Sequence, residues 1–336
     1  MNPVRSLVVL PTGDPVRVAP RSRTPIGGDP GKIRVGWFRL FMVCGRFGSY
    51  VRAMITLTGL TKRYGDKTAV DDLTVEITPG LVTGFLGPNG TGKSTTMRLI
   101  LGLDRPTAGR ALVNGKQHAE HRHPVREIGA LLDATAVHPR RSARNHLRAM
   151  AATPPHLRPP GHEVLNAVGL TDVANRLAGT FSLGMSQRLG IAGAILGDPQ
   201  VLMLDEPVNG LDPDGVRWIR TFLREFAEQG RTVFVSSHLM SEMEQTADRL
   251  VVIGRGRLLA DTDLRAMLSG GSVQVRGPDL GPLELTVTGL SVERIGDLAY
   301  ESGVRLHELR SVETTLEQAY LELTADSVEY TEPMNR

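Results

Sequence analysis

Between Val82 and Ile100 the chain reads VTGFLGPNGTGKSTTMRLI, and this stretch constrains the fold more than any other. Val82 to Leu86 has the composition of a buried strand and the residues after Gly92 that of a helix. The turn between them fits G-x-x-x-x-G-K-[ST] with Gly87, Gly90, Gly92, Lys93 and Ser94. Glycines let a backbone take φ > 0, so the loop Gly87, Pro88, Asn89, Gly90, Thr91, Gly92 can turn successive N–H groups inward on a triphosphate. The helix that follows adds the positive end of its dipole. In such a cradle Lys93 reaches the β- and γ-phosphates, Ser94 offers its hydroxyl to Mg²⁺ and Thr95 offers another to the α-phosphate. Accidental glycines at a strand-helix junction are the competing explanation, but here strand, loop and helix agree.

A cradle implies only a bound nucleoside triphosphate, so the chemistry has to come from residues further along. With 336 residues, 40% of them hydrophobic and 22% charged, the chain can bury one large domain and a small one. Its net charge of +3 points weakly to nucleic acid. Residues 1 to 53, however, hold nine Lys and Arg against two acidic residues, so the body beyond them is net acidic and offers no polycationic face. A single cysteine, Cys44, forbids an internal disulfide and fits a reducing cytoplasm. The longest apolar candidate, near Ile33 to Cys44, is broken by Arg34 and Arg39, so no transmembrane span is expected.

The leader, residues 1 to 53, is rich in Pro, Gly and Arg and is expected to be disordered; its apolar segment is a poor signal peptide. A patterned strand begins directly after Met54, which suggests Met54 as the natural start. Ile55 and Leu57, then Leu73, Val75 and Ile77, alternate as antiparallel strands beside the cradle. Tyr64, on a turn before the cradle strand, can bring its ring against an adenine base. Gly109 to Gln117 reads as a hairpin closing at Asn114-Gly115. His118, His121 and His123 follow; without a carboxylate or cysteine at ligand spacing they are expected to be a solvated loop rather than a zinc site.

Residues 134 to 190 read as a helical insert interrupted by the prolines of TPPHLRPP. It carries Arg140, Arg141, Arg144 and Arg148, a solvated face or a membrane or partner face. VLMLDEP, Val201 to Pro207, is an apolar strand that delivers two acids to the carboxyl edge of a sheet, where open α/β folds bind ligands. A helix then starts at Asp212-Pro213, a strand ends at His238, and Val251 to Ala260 reads as a hairpin. Beyond about Gly270 strands and helical patterns alternate, and a last helix opens with a capping box at Thr314 and Glu317.

Tyr64, GPNGTGKST, FSLGMSQRL (Phe181 to Leu189), VLMLDEP, NGLDP and SSH stand in the order and spacing of an ATP-binding-cassette (ABC) ATPase, and over Ile55 to Asp261 the chain resembles that family. The resemblance implies an α/β fold: a P-loop NTPase core, an antiparallel β subdomain, a helical subdomain bearing the signature, and a small C-terminal α+β domain. Together with the change of composition at both ends, it divides the chain into the leader 1–53, a nucleotide-binding domain 54–268 with its helical subdomain at 134–190, and an accessory domain 269–336. The resemblance assigns Asp205 to Mg²⁺, Glu206 to the base acting on the attacking water, and His238 to the γ-phosphate and that water. Asn209 to Asp212 become the loop crossing to a second copy, and Ser182 with Gly184 the signature capping ATP held by that copy. Two chains then pair head to tail over ATP and Mg²⁺.

Two positions depart from the family pattern. Phe181-Ser182-Leu183-Gly184-Met185 replaces the usual Leu-Ser-Gly-Gly-Gln, and Asp133 stands where many members carry glutamine. An unpaired carboxylate about 4 Å from a phosphate charge costs roughly 4 kcal/mol at an effective dielectric near 20, so Asp133 touches Mg²⁺, binds through water or stays back. Coupling to a membrane partner is its expected role. S-L-G-M-x-Q-R-L and the ending LEQAYLELT look like the subfamily that drives bacterial drug, peptide-antibiotic or lipid exporters through a separate permease at the cytoplasmic face of the membrane. The alternatives are a soluble ABC ATPase acting on ribosomes or DNA, and a regulatory or immunity subunit with weak turnover. One cassette without coiled coils argues against the first, and an intact Glu206 and His238 against the second.

Overall fold

The computed structural model describes residues 6–8, 54–133, 136–152, 162–268, 272–280, 285–288, 290–312 and 315–324. In chain order the strands are β1 (Ser6–Val8), β2 (Ile55–Tyr64), β3 (Lys67–Ile77), β4 (Val82–Leu86), β5 (Ala108–Val113), β6 (Ile128–Leu131) and β7 (Val201–Asp205). They continue with β8 (Thr232–Ser237), β9 (Arg249–Gly254), β10 (Arg257–Asp263), β11 (Ser272–Arg276), β12 (Leu285–Thr288) and β13 (Glu308–Val312). The helices are α1 (Lys93–Ile100), α2 (Pro124–Glu127), α3 (Ala143–Ala152), α4 (His162–Ala167), α5 (Leu183–Ile195), α6 (Pro213–Glu228), α7 (Met240–Thr246), α8 (Leu264–Leu268), α9 (Val292–Glu301) and α10 (Leu316–Thr324).

The chain forms two compact units, Ser49–Leu268 with Thr315–Arg336, and Met1–Gly48 with Ser269–Thr314. The larger is built on a six-stranded sheet in the order β10-β9-β4-β8-β7-β6, parallel except for the β9–β10 hairpin. Strands buried on both faces read as continuous apolar runs, and alternate residues of these strands feed two different cores. Val82, Leu86, Leu202, Leu204, Val233, Val235, Leu250 and Val252 enter one core with α5, α6 and α7. Phe85, Val201, Met203, Phe234, Val251 and Ile253 enter the other with Met97 and Ile100 of α1 and with the antiparallel sheet β3-β2-β5. There the rings of Phe85 and Phe234 meet in a tilted pair, with centroids 5.0 Å apart and planes at 33°.

Three local expectations need correcting. Asn114 (φ 47°) and Gly115 (φ 79°) do make a tight turn, but across it Val113 meets only Lys116 in an isolated bridge. β5 pairs instead with β2. The last helix is capped one residue later than expected: Gln318 N–H donates to Thr315 Oγ1 (3.3 Å) and Thr315 N–H to Gln318 Oε1 (3.2 Å), while Thr314 lies outside the described residues. That helix packs on α7, α8 and β10, with Leu316 and Tyr320 in the core of the larger unit, so the C-terminal segment does not fold wholly with the accessory strands. Of the leader, only residues 6–8 are described, as a strand parallel to β12; the rest of that expectation, and the proline run at 153–160, fall outside the described residues.

The smaller unit has β11 at its centre, antiparallel to both β12 and β13, with Val273, Val275 and Ile295 as its core. Arg305 donates to both carboxylate oxygens of Asp279 (3.1 and 3.0 Å), and this partner, with the Arg305 backbone N–H, holds the Asp279 carboxyl at about 2. Among the described residues, no helix is long and apolar enough to cross a membrane.

Candidate active site

The carboxyl ends of three adjacent parallel strands, β4, β8 and β7, converge on one edge of the sheet, where open α/β folds place ligands. From β4 comes the glycine loop, and its glycines serve different ends. Gly90 (φ 83°) and Gly92 (φ 102°) take the left-handed conformations expected of the loop, and a Cβ on Gly92 would also sit 2.2 Å from the Ala69 carbonyl oxygen. Gly87 does not need positive φ. It is glycine for room, because a Cβ there would meet Thr91 Oγ1 at 2.6 Å and the Ile253 carbonyl at 2.7 Å.

Lys93 opens α1 and is almost wholly buried, at 6% exposure. Its ammonium donates to the carbonyl of Gly87 at 2.5 Å and lies 3.6 Å from Glu206 Oε1. Burial lowers the Lys93 pKa, and the carboxylates of Glu206 and Asp205 push it back up. Ser94 is exposed on the first turn of the same helix, with Thr95 half-buried beside it.

From β7 come Asp205 and Glu206. Glu206 takes φ 50°, a left-handed conformation that costs a non-glycine residue roughly 1–2 kcal/mol. Its N–H donates to Ser236 Oγ at 3.0 Å, and its carboxylate oxygen Oε2 meets His238 Nδ1 at 2.8 Å. The Ser236 hydroxyl in turn donates to Asp205 Oδ1. Lys93, Glu206 and His238 are therefore brought together as expected, and Asp205 is tied to them through Ser236, which lies in the SSH motif but was given no role of its own by the sequence.

The signature stands elsewhere. Ser182 caps α5 by accepting from the Met185 N–H at 3.2 Å. A Cβ on Gly210 would lie 2.0 Å from Leu183 Cδ2, one on Gly184 would lie 3.3 Å from Leu211 Cδ2, and Gln187 Nε2 donates to the Asn209 carbonyl at 3.5 Å. Leu183, Gly184 and Gln187 thus lean on the loop Asn209–Leu211, not on the glycine loop. Asp212 closes that loop by capping α6, accepting from Gly215 N–H at 2.8 Å.

Tyr64 ends β2 with its ring about half exposed, its hydroxyl donating to Asp104 Oδ2 at 3.0 Å and Lys62 Nζ 4.8 Å from its ring centre. Asp133 is exposed two residues beyond β6, on the same edge of the sheet as Asp205. The three histidines do not converge, and the solvated-loop expectation also needs correcting. His121 binds the Val113 carbonyl at 2.8 Å through Nε2 and pairs with Glu127 through Nδ1. No group of three metal-binding side chains forms among the described residues. Arg140, Arg141 and Arg148 are solvent-exposed, and Arg144 binds Asn175.

The model of the ABC transporter family matches residues 70–209, and a model of a domain of unknown function matches residues 259–317. The bacitracin transport ATP-binding protein BcrA of Bacillus licheniformis is 41% identical over 211 residues, covering 62% of this chain and 69% of that protein. The daunorubicin resistance ATP-binding protein DrrA3 of Streptomyces coeruleorubidus is 32% identical over 304 residues, covering 81% of this chain and 96% of its own. Among solved structures, the dimeric bacterial ABC transporter cassette MJ0796 superposes with a TM-score of 0.58 at 25% identity, covering 63% of this chain and 99% of that one.

Proposed function

Because the chain belongs to the ABC transporter family of ATP-binding proteins, with the P-loop ATPase fold and the ATP-binding role that go with it, we propose that it powers export of a drug or peptide antibiotic through a separate membrane permease. The names of its relatives support the cargo class, and the sequence resemblance supports the separate permease. One observation carries the enzymatic part: Glu206 is held between Lys93 and His238 at the carboxyl edge of the sheet.

In this reading the N–H groups of Gly87–Gly92 and Lys93 bind the phosphates, with Thr95 beside them, and Tyr64 stacks on the adenine. Glu206 takes a proton from the attacking water or orients it, and His238 fixes the Glu206 carboxylate. Phosphoryl transfer needs mainly positioning and neutralisation of charge, which buried Lys93 supplies. Mg²⁺ fits the donor set, since the Asp205 carboxylate and the Ser94 hydroxyl are the hard oxygen ligands it prefers. Bound there, it would neutralise phosphate charge.

A second copy completes the site. Ser182, Gly184 and Asp212 belong to a surface built on the signature helix and the Asn209–Leu211 loop, and they would cap ATP held by the partner; the dimeric neighbour MJ0796 supports this pairing. We assign Asp133 to coupling with the permease, either beside Mg²⁺ or through water.

Glu206→Gln is the test. The variant keeps ATP binding, loses turnover and accumulates an ATP-bound dimer on a sizing column; near-normal hydrolysis by it would overturn the assignment. Asp133→Gln, assayed with the permease in vesicles, should change the permease-stimulated rate; an unchanged stimulated rate would overturn the coupling role.

A further inference from the structure

We propose that Ser236 is a positioning residue for hydrolysis, a single buried hydroxyl that sets where both Asp205 and Glu206 stand. The proposal rests on the reading of Glu206 as the base and Asp205 as the metal carboxylate. Ser236 is 0% exposed, and in the parallel pairing of β7 with β8 it lies directly opposite Asp205, so the two side chains share one face of the sheet.

The direction of both bonds is forced. A carboxylate only accepts and an amide N–H only donates, so the one hydroxyl proton goes to Asp205 Oδ1 and a hydroxyl lone pair receives the Glu206 N–H at 3.0 Å. Held through Oδ1, the carboxylate of Asp205 has its other oxygen to offer a cation. The second bond acts on the base. The β7–β8 register ends at Asp205↔Ser236, and Glu206 turns out of the ladder at φ 50°. Its N–H therefore needs an acceptor that the backbone pattern no longer supplies, and Ser236 Oγ is that acceptor.

Without the hydroxyl, the Glu206 N–H loses its acceptor, and the left-handed conformation that aims the carboxylate between Lys93 Nζ (3.6 Å) and His238 Nδ1 (2.8 Å) is held by those side-chain contacts with less backbone support. The neighbouring serine does separate work. Ser237 Oγ accepts from Leu239 N–H at 2.9 Å and so shapes the turn that presents His238. Of the pair SSH, one hydroxyl faces the acids and the other the turn.

The test uses the full-length protein and compares Ser236→Ala with Ser236→Cys and with Glu206→Gln. Steady-state ATP hydrolysis is followed against Mg²⁺ concentration, binding of a fluorescent ATP analogue is titrated, and each variant is melted thermally. Losing a buried hydrogen bond to a charged group and orphaning an N–H should lower kcat by roughly 10- to 100-fold in Ser236→Ala. Nucleotide affinity should stay within about twofold of wild type, and half-maximal turnover should need more Mg²⁺. Ser236→Cys, a weak donor and acceptor of similar size, should fall between.

A Ser236→Ala variant with wild-type kcat and Mg²⁺ dependence overturns the proposal, whether or not its melting temperature drops, provided Glu206→Gln is inactive. If Glu206→Gln itself turns over normally, the assignment of the base has failed and the Ser236 role goes with it. Should Ser236→Ala not fold, Ser236→Cys is judged by the same kcat and Mg²⁺ criteria.

Discussion

His238 Nδ1 meets Glu206 Oε2 at 2.8 Å across the ends of two adjacent parallel strands, and the same carboxylate offers its other oxygen to Lys93. A base that touches an imidazole on one side and an ammonium on the other has little freedom to rotate. Removing the imidazole in His238→Ala should therefore leave ATP binding nearly intact while lowering turnover about 10- to 100-fold, the range for losing an orienting hydrogen bond to a charged group. Parallel nucleotide titrations and phosphate-release assays check the split. A variant that loses affinity and keeps kcat would place His238 in ground-state binding instead.

Gly92 leaves no room for a side chain. Its φ of 102° is unfavourable for any L-residue, and a Cβ would lie 2.2 Å from the Ala69 carbonyl oxygen, a backbone atom that cannot swing away. Gly92→Ala should displace the start of α1 and with it Lys93, so ATP binding should fall at least tenfold and the melting temperature should drop. At Gly65 nothing stands within 4 Å of an added Cβ although φ is 57°, so Gly65→Ala should show a smaller, purely conformational loss.

Tyr64 and Asp104 are distant in sequence, yet the phenol donates to Asp104, which Arg98 of the cradle helix grips with Nε at 2.7 Å and Nη2 at 3.2 Å. Arg98 in turn holds the Asp104 carboxyl below the usual carboxylate range. The ring proposed to stack on adenine is thereby tied to the helix proposed to bind the phosphates. Tyr64→Ala should weaken ATP binding by about 5- to 100-fold, the equivalent of one stacking contact. Asp104→Ala, which keeps the ring and frees its tip, should raise KM a few-fold with kcat unchanged.

What could be read from the sequence alone was whatever depends on neighbours in the chain. The glycine loop, the two acids ending β7 and the Asp212-Pro213 helix start are each local patterns, and each stands where expected. Ser236 stood in the SSH motif, but its role could not be read there, because that role comes from a strand register, Asp205 opposite Ser236, that no local pattern encodes. The same holds for Asp104 beneath Tyr64 and for β5 choosing β2 over its own turn. The cap of α10 slipped by one residue because Thr314-Thr315 and Glu317-Gln318 offer two equivalent boxes, and only packing selects between them.

His118 and His146 lie half-buried, each with an Nδ1 that finds no hydrogen-bond partner. Burial lowers both imidazole pKa values; the neighbouring His121 adds to the effect at His118 and Arg141 at His146, while Glu127 opposes it at His118. In the unfolded chain both groups titrate near the ordinary value of about 6.5. Below that pH the unfolded state binds more protons than the folded one, so stability falls as pH drops from about 7 toward 5 and is level above it. Urea midpoints at pH 7.5 and 5.5 should show this loss, and His146→Gln should reduce it.

Leu316 is fully buried and Tyr320 nearly so, both in the core that holds Met243, Ala247 and Leu264, although more than forty residues of the accessory unit separate them from α8. A C-terminal helix that docks back on the nucleotide-binding unit stabilises that unit and not the strands it follows in the chain. Leu316→Ala removes a fully buried side chain and should cost about 2–5 kcal/mol, lowering the melting temperature of the ATP-stabilised transition. Since α10 packs on α7, which begins two residues after His238, the variant should also reduce turnover more than ATP affinity. Differential scanning calorimetry with and without ATP identifies the transition that moves. If only an ATP-insensitive transition shifts, α10 belongs energetically to the accessory unit, and its packing against α7 and α8 contributes little to the fold that binds nucleotide.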